Sequence, residues 1–188
     1  MTDRDELREL LIERSVRLGD FTLASGAKSD YYIDARRTTM SAEGQRLVGR
    51  VAYHAIREHG LRPTHAGGLT MGADPIAYAI AHVSAIEGAV IDGFSVRKRA
   101  KEHGTGQRIE GGLPQDARAL MVEDTMTTGR STLQAVEAVR ALGADIVGVL
   151  TLVNRSENAE AFYQAQGLPL ISIFTGAELV EAARAASQ

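Results

Sequence analysis

ALMVEDTMTTGRSTL, Ala119 to Leu133, is the stretch whose reading decides the fold. Ala119, Leu120, Met121 and Val122 form an apolar run that suits a buried strand. The acidic pair Glu123 and Asp124 follows, and then a hydroxyl-rich turn from Thr125 to Ser131 that contains Thr127, Thr128 and Gly129. Beyond it Leu133, Val136, Val139 and Leu142, interleaved with Ala135 and Ala138, make the apolar stripe of a helix that Gly143 ends. The order is strand, acids, hydroxyl loop, helix.

That order has a chemical use. A helix opening beneath a turn presents unpaired backbone N–H groups and the positive end of its dipole to an anion. The hydroxyls add donors, and Gly129 lets the backbone come close to a bound group. Two carboxylates at the strand end would repel a bare phosphate, but they suit a ligand that also carries ribose hydroxyls or a divalent cation. A sugar phosphate meets both needs. The glycine spacing and the lysine of an ATP-binding loop are absent. Taken alone, the same residues also fit an ordinary turn whose Thr and Ser cap the helix while the acids face water.

The residues VEDTMTTGRS carry a resemblance that favours the first reading. They resemble the phosphoribosyl pyrophosphate (PRPP) motif of the type I phosphoribosyltransferases. The resemblance implies that Glu123 and Asp124 hold the ribose hydroxyls. It assigns the 5-phosphate to Thr125, Met126, Thr127, Thr128, Gly129, Arg130 and Ser131. Arg130 departs from the small residue usual there, so its side chain either points outward or adds a charge beside the phosphate.

The chain of 188 residues is long enough for one well-buried domain and short for two. Its 44% hydrophobic and 24% charged content is that of an ordinary globular protein, and a net charge of −3 argues against general nucleic-acid binding. Without cysteine there are no disulfides, no thiolate catalysis and no Cys-type zinc site. The charged start MTDRDELREL lacks a signal-like core and no run approaches a membrane span, so a cytoplasmic protein is expected.

Residues 3 to 18 read as an amphipathic helix at the edge of the core, with Leu7, Leu10 and Leu11 on one side. FTLASGAKSDYYIDARR, Phe21 to Arg37, reads as a hairpin around Ser25, Gly26 and Ala27. It is similar to the N-terminal hood of orotate phosphoribosyltransferases. In that likeness Tyr31 and Tyr32 supply a flat apolar surface for a planar base, while Ala24 stands where some members have a lysine. Ser41 caps a long helix running to about His59. A strand from Thr64 to Leu69 leads into a turn and then a helix opened near Asp74 and Pro75. By the resemblance, the backbone of that Gly67–Ala73 turn touches pyrophosphate, but Met71 and Gly72 stand where a lysine is often found.

A strand over Ala89 to Val96 delivers the chain into RKRAKEHGTGQRIEGG, Arg97 to Gly112, a composition that describes a mobile charged loop with no packed element. A solvated surface loop or a small nucleic-acid patch is its bland reading. RK-x-x-K-x-HG also resembles the catalytic loop of the orotate phosphoribosyltransferases. The likeness implies that Arg97, Lys98, Lys101 and His103 clamp the pyrophosphate and that part of the loop reaches into a neighbouring subunit's site. Lys101 and His103 are then the candidates for helping the leaving group. Asp145 to Val153 makes an unbroken apolar strand of the kind covered on both faces. Arg155 follows at its carboxyl end, on the edge where open α/β sheets bind ligands; the resemblance gives it the orotate carboxylate, with Thr127 also on orotate. A helix near Asn158 to Gln166, a strand near Leu170 to Phe174 and a last helix opened by the box Thr175 to Glu178 read as structural.

Together these elements predict an α/β domain over residues 1–188, a mostly parallel sheet flanked by helices with a small N-terminal hood over about residues 1–40. The resemblance implies transfer of the 5-phosphoribosyl group from PRPP to orotate, giving orotidine 5′-monophosphate and pyrophosphate. Mg²⁺ would be carried by PRPP rather than by protein ligands, and a homodimer with a shared active site is expected, with neither nucleic acid nor membrane as partner. A phosphoribosyltransferase for another base, or a PRPP-binding regulator without catalysis, is the alternative.

Overall fold

The computed structural model describes residues 1–22, 26, 28–99 and 108–187. Ala24, Lys101 and His103 lie outside them. Thr2 and Asp5 form a capping box that starts α1 (Asp3–Ser15). Leu7 and Leu11 of α1 are fully buried and join the larger apolar cluster, so this helix sits deeper than the core edge expected for it. It also ends earlier than residue 18. Val16, Arg17 and Leu18 lie opposite Ile33, Tyr32 and Tyr31, and the ladder they form takes the chain into β1 (Val16–Thr22) and β2 (Lys28–Ile33), an antiparallel pair that is a sheet of its own. A short helix, α2 (Arg36–Thr39), precedes α3 (Ala42–Glu58), whose N-cap is Ser41 as its sequence predicts.

The main sheet collects β3 (His65–Leu69), β4 (Asp92–Val96), β5 (Ile109–Glu110), β6 (Arg118–Met126), β7 (Asp145–Asn154) and β8 (Leu170–Thr175) in the order β5-β4-β3-β6-β7-β8. Between them run α4 (Ala73–Glu87), α5 (Arg130–Leu142), α6 (Ala159–Gln164) and, last, α7 (Gly176–Ala186). Every pairing in the sheet is parallel except β4 with β5. That exception corrects the expectation that residues 97–112 hold no packed element: Ile109 and Glu110 lie antiparallel to Val96 and Ser95, because an edge ladder needs backbone groups rather than an apolar composition.

The alternation of β6 divides the core. Leu120 and Val122 pack with α1, α3, α4 and α7, whereas Ala119 and Met121 pack with α5 and α6. β7, buried along nearly its whole length, lies between β6 and β8 as an unbroken apolar strand should. Among the described residues no helix is long and apolar enough to cross a membrane.

The strand order carries the functional consequence. After β3 the chain adds β4 and β5 on one side, then returns to build β6, β7 and β8 on the other. The carboxyl ends of β3 and β6 therefore flank a topological switch point, the place where open α/β sheets bind their ligands.

Candidate active site

A cavity of about 540 Å³ opens at that switch point, between the loop after β3 (Thr70, Met71, Gly72) and the end of β6 (Glu123, Asp124, Thr125) with Ser131 of α5. Tyr32, Asp34 and Arg36 close it from the hairpin side, and Lys98 enters from beyond β4.

Glu123 and Asp124 remain within β6 rather than in a turn after it, and they approach the cavity differently. Glu123 is 9% exposed and its Oε2 accepts the hydroxyl of Thr132, on α5, at 2.8 Å. Burial pushes its carboxyl up to about 7, the neighbouring Asp124 charge adds to the rise, and the Thr132 hydroxyl opposes it. Asp124 faces the loop after β3, where a Cβ on Gly72 would meet its Oδ1 at 2.6 Å. Burial raises this carboxyl as well, while the Thr125 N–H, which donates to Oδ1 at 2.7 Å, and the charge of Arg36 hold it down. The acids do not face water as an ordinary turn would have them; Glu123 is buried and Asp124 half-buried, both acceptors at the rim of a cavity.

The hydroxyl turn is shorter than its sequence suggests. Thr125 and Met126 belong to β6, and Arg130 and Ser131 already belong to α5, so only Thr127, Thr128 and Gly129 bridge the two. The Met126 side chain is 1% exposed and packed in the apolar cluster under α5 and α6, and its carbonyl accepts the Arg155 N–H at 2.8 Å, so its side chain does not reach the cavity. Gly129 has φ 70°, and a Cβ there would stand 2.9 Å from the Tyr163 hydroxyl. Ser131 lines the main cavity, while Thr127, Thr128 and Arg130 are exposed around the start of the helix. Thr125 Oγ1 is buried with no hydrogen-bond partner among the described residues, a donor and acceptor left over for a ligand.

On the facing loop the Thr70–Met71 peptide is cis. Asp74, at the start of α4, accepts the Thr70 hydroxyl at 2.6 Å and the Ser95 hydroxyl at 2.8 Å, joining this loop to the end of β4. Arg97 does not line the cavity. Its Nε pairs with Glu110 at 2.8 Å across the β4–β5 ladder, and it is Lys98 that faces the site.

Tyr31 and Tyr32 do not make one surface. Adjacent strand residues point to opposite sides, so Tyr32 lines the main cavity and Tyr31 a second one of about 760 Å³ shared with Arg155, Thr175 and Arg184. The Arg155 guanidinium lies over the Tyr31 ring, 4.8 Å from its centroid. Its Nε is buried without a hydrogen-bond partner among the described residues. A cation so held has an unused donor for a planar anionic group.

Sequence reasoning passed over Asp34, Arg36, Thr132 and Tyr163, which support or line the site from three separate elements. Only the charges of DARR after the hairpin could have flagged the first two.

Comparison with known proteins bears on this arrangement. Residues 40–166 match the family model described as a phosphoribosyl transferase domain. A curated relative from Aquifex aeolicus, an orotate phosphoribosyltransferase, is 42% identical over 96% of this chain and 99% of its own. One of the same description from Corynebacterium glutamicum is 46% identical over 90% of each chain. The crystal structure of Mycobacterium tuberculosis orotate phosphoribosyltransferase in complex with PRPP superposes with a TM-score of 0.80 at 40% identity, covering 95% of this chain and 99% of that one.

Proposed function

Because the chain belongs to the phosphoribosyl transferase family, among its orotate phosphoribosyltransferases, we propose how its own residues divide the reaction of that family. The reaction itself is a pentosyl transfer: a nitrogen of orotate bonds to C1 of the phosphoribosyl group as the C1–O bond to pyrophosphate breaks, giving orotidine 5′-monophosphate in pyrimidine biosynthesis. The observation that carries the assignment of roles is the single cavity in which buried acids, a helix-opening hydroxyl and a lysine meet.

Glu123 and Asp124 accept the ribose hydroxyls. The backbone and hydroxyls of Thr125, Thr127, Thr128, Gly129 and Ser131 hold the 5-phosphate at the start of α5. Lys98 neutralises the pyrophosphate, joined by Arg97 once it releases Glu110, and by Lys101 and His103 outside the described residues. Arg155 pairs with the orotate carboxylate, steadied from below by Tyr31, with Thr127 beside it. As the C1–O bond lengthens, charge builds on the ribose ring and on the leaving group, and preorganised charges placed at both stabilise it. Positioning of the two substrates supplies the rest.

The cavity also fits Mg²⁺. The Asp124 carboxylate lines the cavity, where it would favour the charge of a Mg²⁺ ion held by the phosphate oxygens of PRPP and by water, with no protein side chain as its ligand. Carried in by PRPP, it would offset the negative charge of the pyrophosphate. The hairpin of β1 and β2 serves as the hood of a one-domain cytoplasmic enzyme. A second copy lends its loop, with Lys101 and His103, to this site in a homodimer.

Orotate absorbance followed after mixing enzyme with PRPP and Mg²⁺, with adenine, hypoxanthine and uracil as competing acceptors, tests the reading. Loss of orotate that needs both PRPP and Mg²⁺ is expected; turnover of another base instead would overturn it. Activity regained on mixing a Lys101→Ala copy with an Asp124→Asn copy supports the shared site, and its absence in demonstrated mixed dimers removes that part.

A further inference from the structure

The loop after β3 carries Met71 and Gly72 where a basic side chain would serve a pyrophosphate, and the cavity it borders contains three carboxylates, of Asp34, Glu123 and Asp124. Against them stand two cations among the described residues that line it, Lys98 and Arg36. Arg36 belongs to none of the three loops that the sequence connects with phosphate. It opens α2, immediately after the hairpin.

Its placement is well supported. The Arg36 Nε donates to Asp34 Oδ1 at 2.9 Å, which fixes the plane of the guanidinium while leaving both terminal nitrogens without a hydrogen bond among the described residues. The helix beneath it is tied to the pyrophosphate side of the site by Gln45: its Nε2 donates to the carbonyl of Thr39, at the end of α2, and to that of Pro75, in the first turn of α4, the latter at 2.9 Å. The charge of Arg36 is felt at Asp124, on the opposite wall. Thr70, next to Leu69, donates its N–H to the Val96 carbonyl at 2.8 Å, so the loop after β3 and the approach to Lys98 share one end of the cavity. An exposed ion pair between residues two apart would by itself add little to stability. Its geometric result is a fork whose free nitrogens suit paired phosphate oxygens.

We infer that Arg36, oriented by Asp34, binds the pyrophosphate group of PRPP from the hairpin side and takes the part that the lysine-free Met71–Gly72 loop leaves open. The inference rests on the activity proposed above. It makes Arg36 a contact to the leaving group, and Asp34 a positioning residue that acts through it.

Titration of inorganic pyrophosphate and, separately, ribose 5-phosphate into the full-length protein with Mg²⁺ distinguishes the ends of the site. Arg36→Gln should weaken pyrophosphate binding and raise the KM for PRPP roughly ten- to a hundredfold, the range of a lost charged hydrogen-bond pair. Ribose 5-phosphate affinity and the KM for orotate should stay within about twofold, since neither reports on the leaving group. Arg36→Lys should recover part of the loss, and Asp34→Asn should produce a smaller loss of the same kind. Pyrophosphate affinity unchanged in Arg36→Gln would overturn the inference. So would an equal loss of both ligands, which would make Arg36 a support for Asp124 instead. A wild-type protein that failed to turn over orotate would sink the underlying activity, whereas an active wild type with an indifferent Arg36→Gln variant would sink this inference alone.

Discussion

The hydroxyl of Thr132 donates to Oε2 of Glu123 at 2.8 Å, buried between β6 and α5, and so ties the first turn of α5 to the acid proposed to hold the ribose. Burial nevertheless dominates that carboxyl and lifts it from 4.5 to about 7. Below pH 4.5 both the folded and the unfolded chain carry the proton. Between pH 4.5 and 7 only the folded chain keeps it, so it binds more protons and its stability falls as pH rises; above pH 7 both are ionised and this contribution is gone. We expect a decline on the order of 2–3 kcal/mol across that window, read as a falling Tm, and its disappearance in Glu123→Gln. An equally steep fall in the variant would remove Glu123 as its source.

Thr132→Val keeps the shape but removes the donor. The Glu123 pKa should move further upward, because this hydrogen bond is what lowers it. The acid limb of kcat/KM for PRPP, expected near pH 7 in the wild type, should shift to higher pH, and stability should drop by about 1–2 kcal/mol. A limb that stays in place would separate Glu123 from PRPP binding.

Gly129 combines a left-handed φ of 70° with a space that a Cβ would close to 2.9 Å from the Tyr163 hydroxyl. Gly129→Ala should cost about 1–2 kcal/mol in backbone strain and raise the KM for PRPP more than that for orotate. Thermal unfolding and initial rates check both parts; a fully tolerated alanine would show that the turn is not held against Tyr163.

Arg155 is stacked on Tyr31. Arg155→Lys keeps the charge yet loses the fork, so the KM for orotate should rise roughly tenfold or more while that for PRPP stays near its wild-type value. Tyr31→Ala removes only the supporting ring and should cost about 0.5–1 kcal/mol of orotate affinity. Equal effects on both substrates would point to a damaged fold rather than a lost contact.

Lys101→Ala should lower kcat far more than it weakens orotate binding, because its charge matters most when the leaving group is departing. Single-turnover rates beside equilibrium orotate binding decide it, and an unchanged kcat would dismiss Lys101 as a catalytic residue.

Much of the fold was legible because its signals are local. Ser41 before α3, the Thr175 and Glu178 box before α7, Gly143 after α5 and the unbroken apolar run of β7 each act through neighbours a few residues away. The misread boundaries lie where distant backbone competed with local preference. Val16 to Leu18 continued the helical pattern of α1 but found a ladder partner in β2, and Ile109 and Glu110 found one in β4. Apolar periodicity carries no information about such partners.

By itself, then, the sequence determined the alternation of strands and helices, the acid pair followed by a phosphate-suited helix start, and the family to which these motifs belong. Only the tertiary structure decided that Tyr31 and Tyr32 line different cavities, that Met126 is core, that Arg97 is engaged by Glu110, and that Arg36 lines the same cavity as Asp124. A motif records which groups follow one another along the chain. The direction of a side chain depends on strand parity, and the meeting of residues 36, 72, 98 and 124 depends on the strand order that folds their separate segments around one switch point.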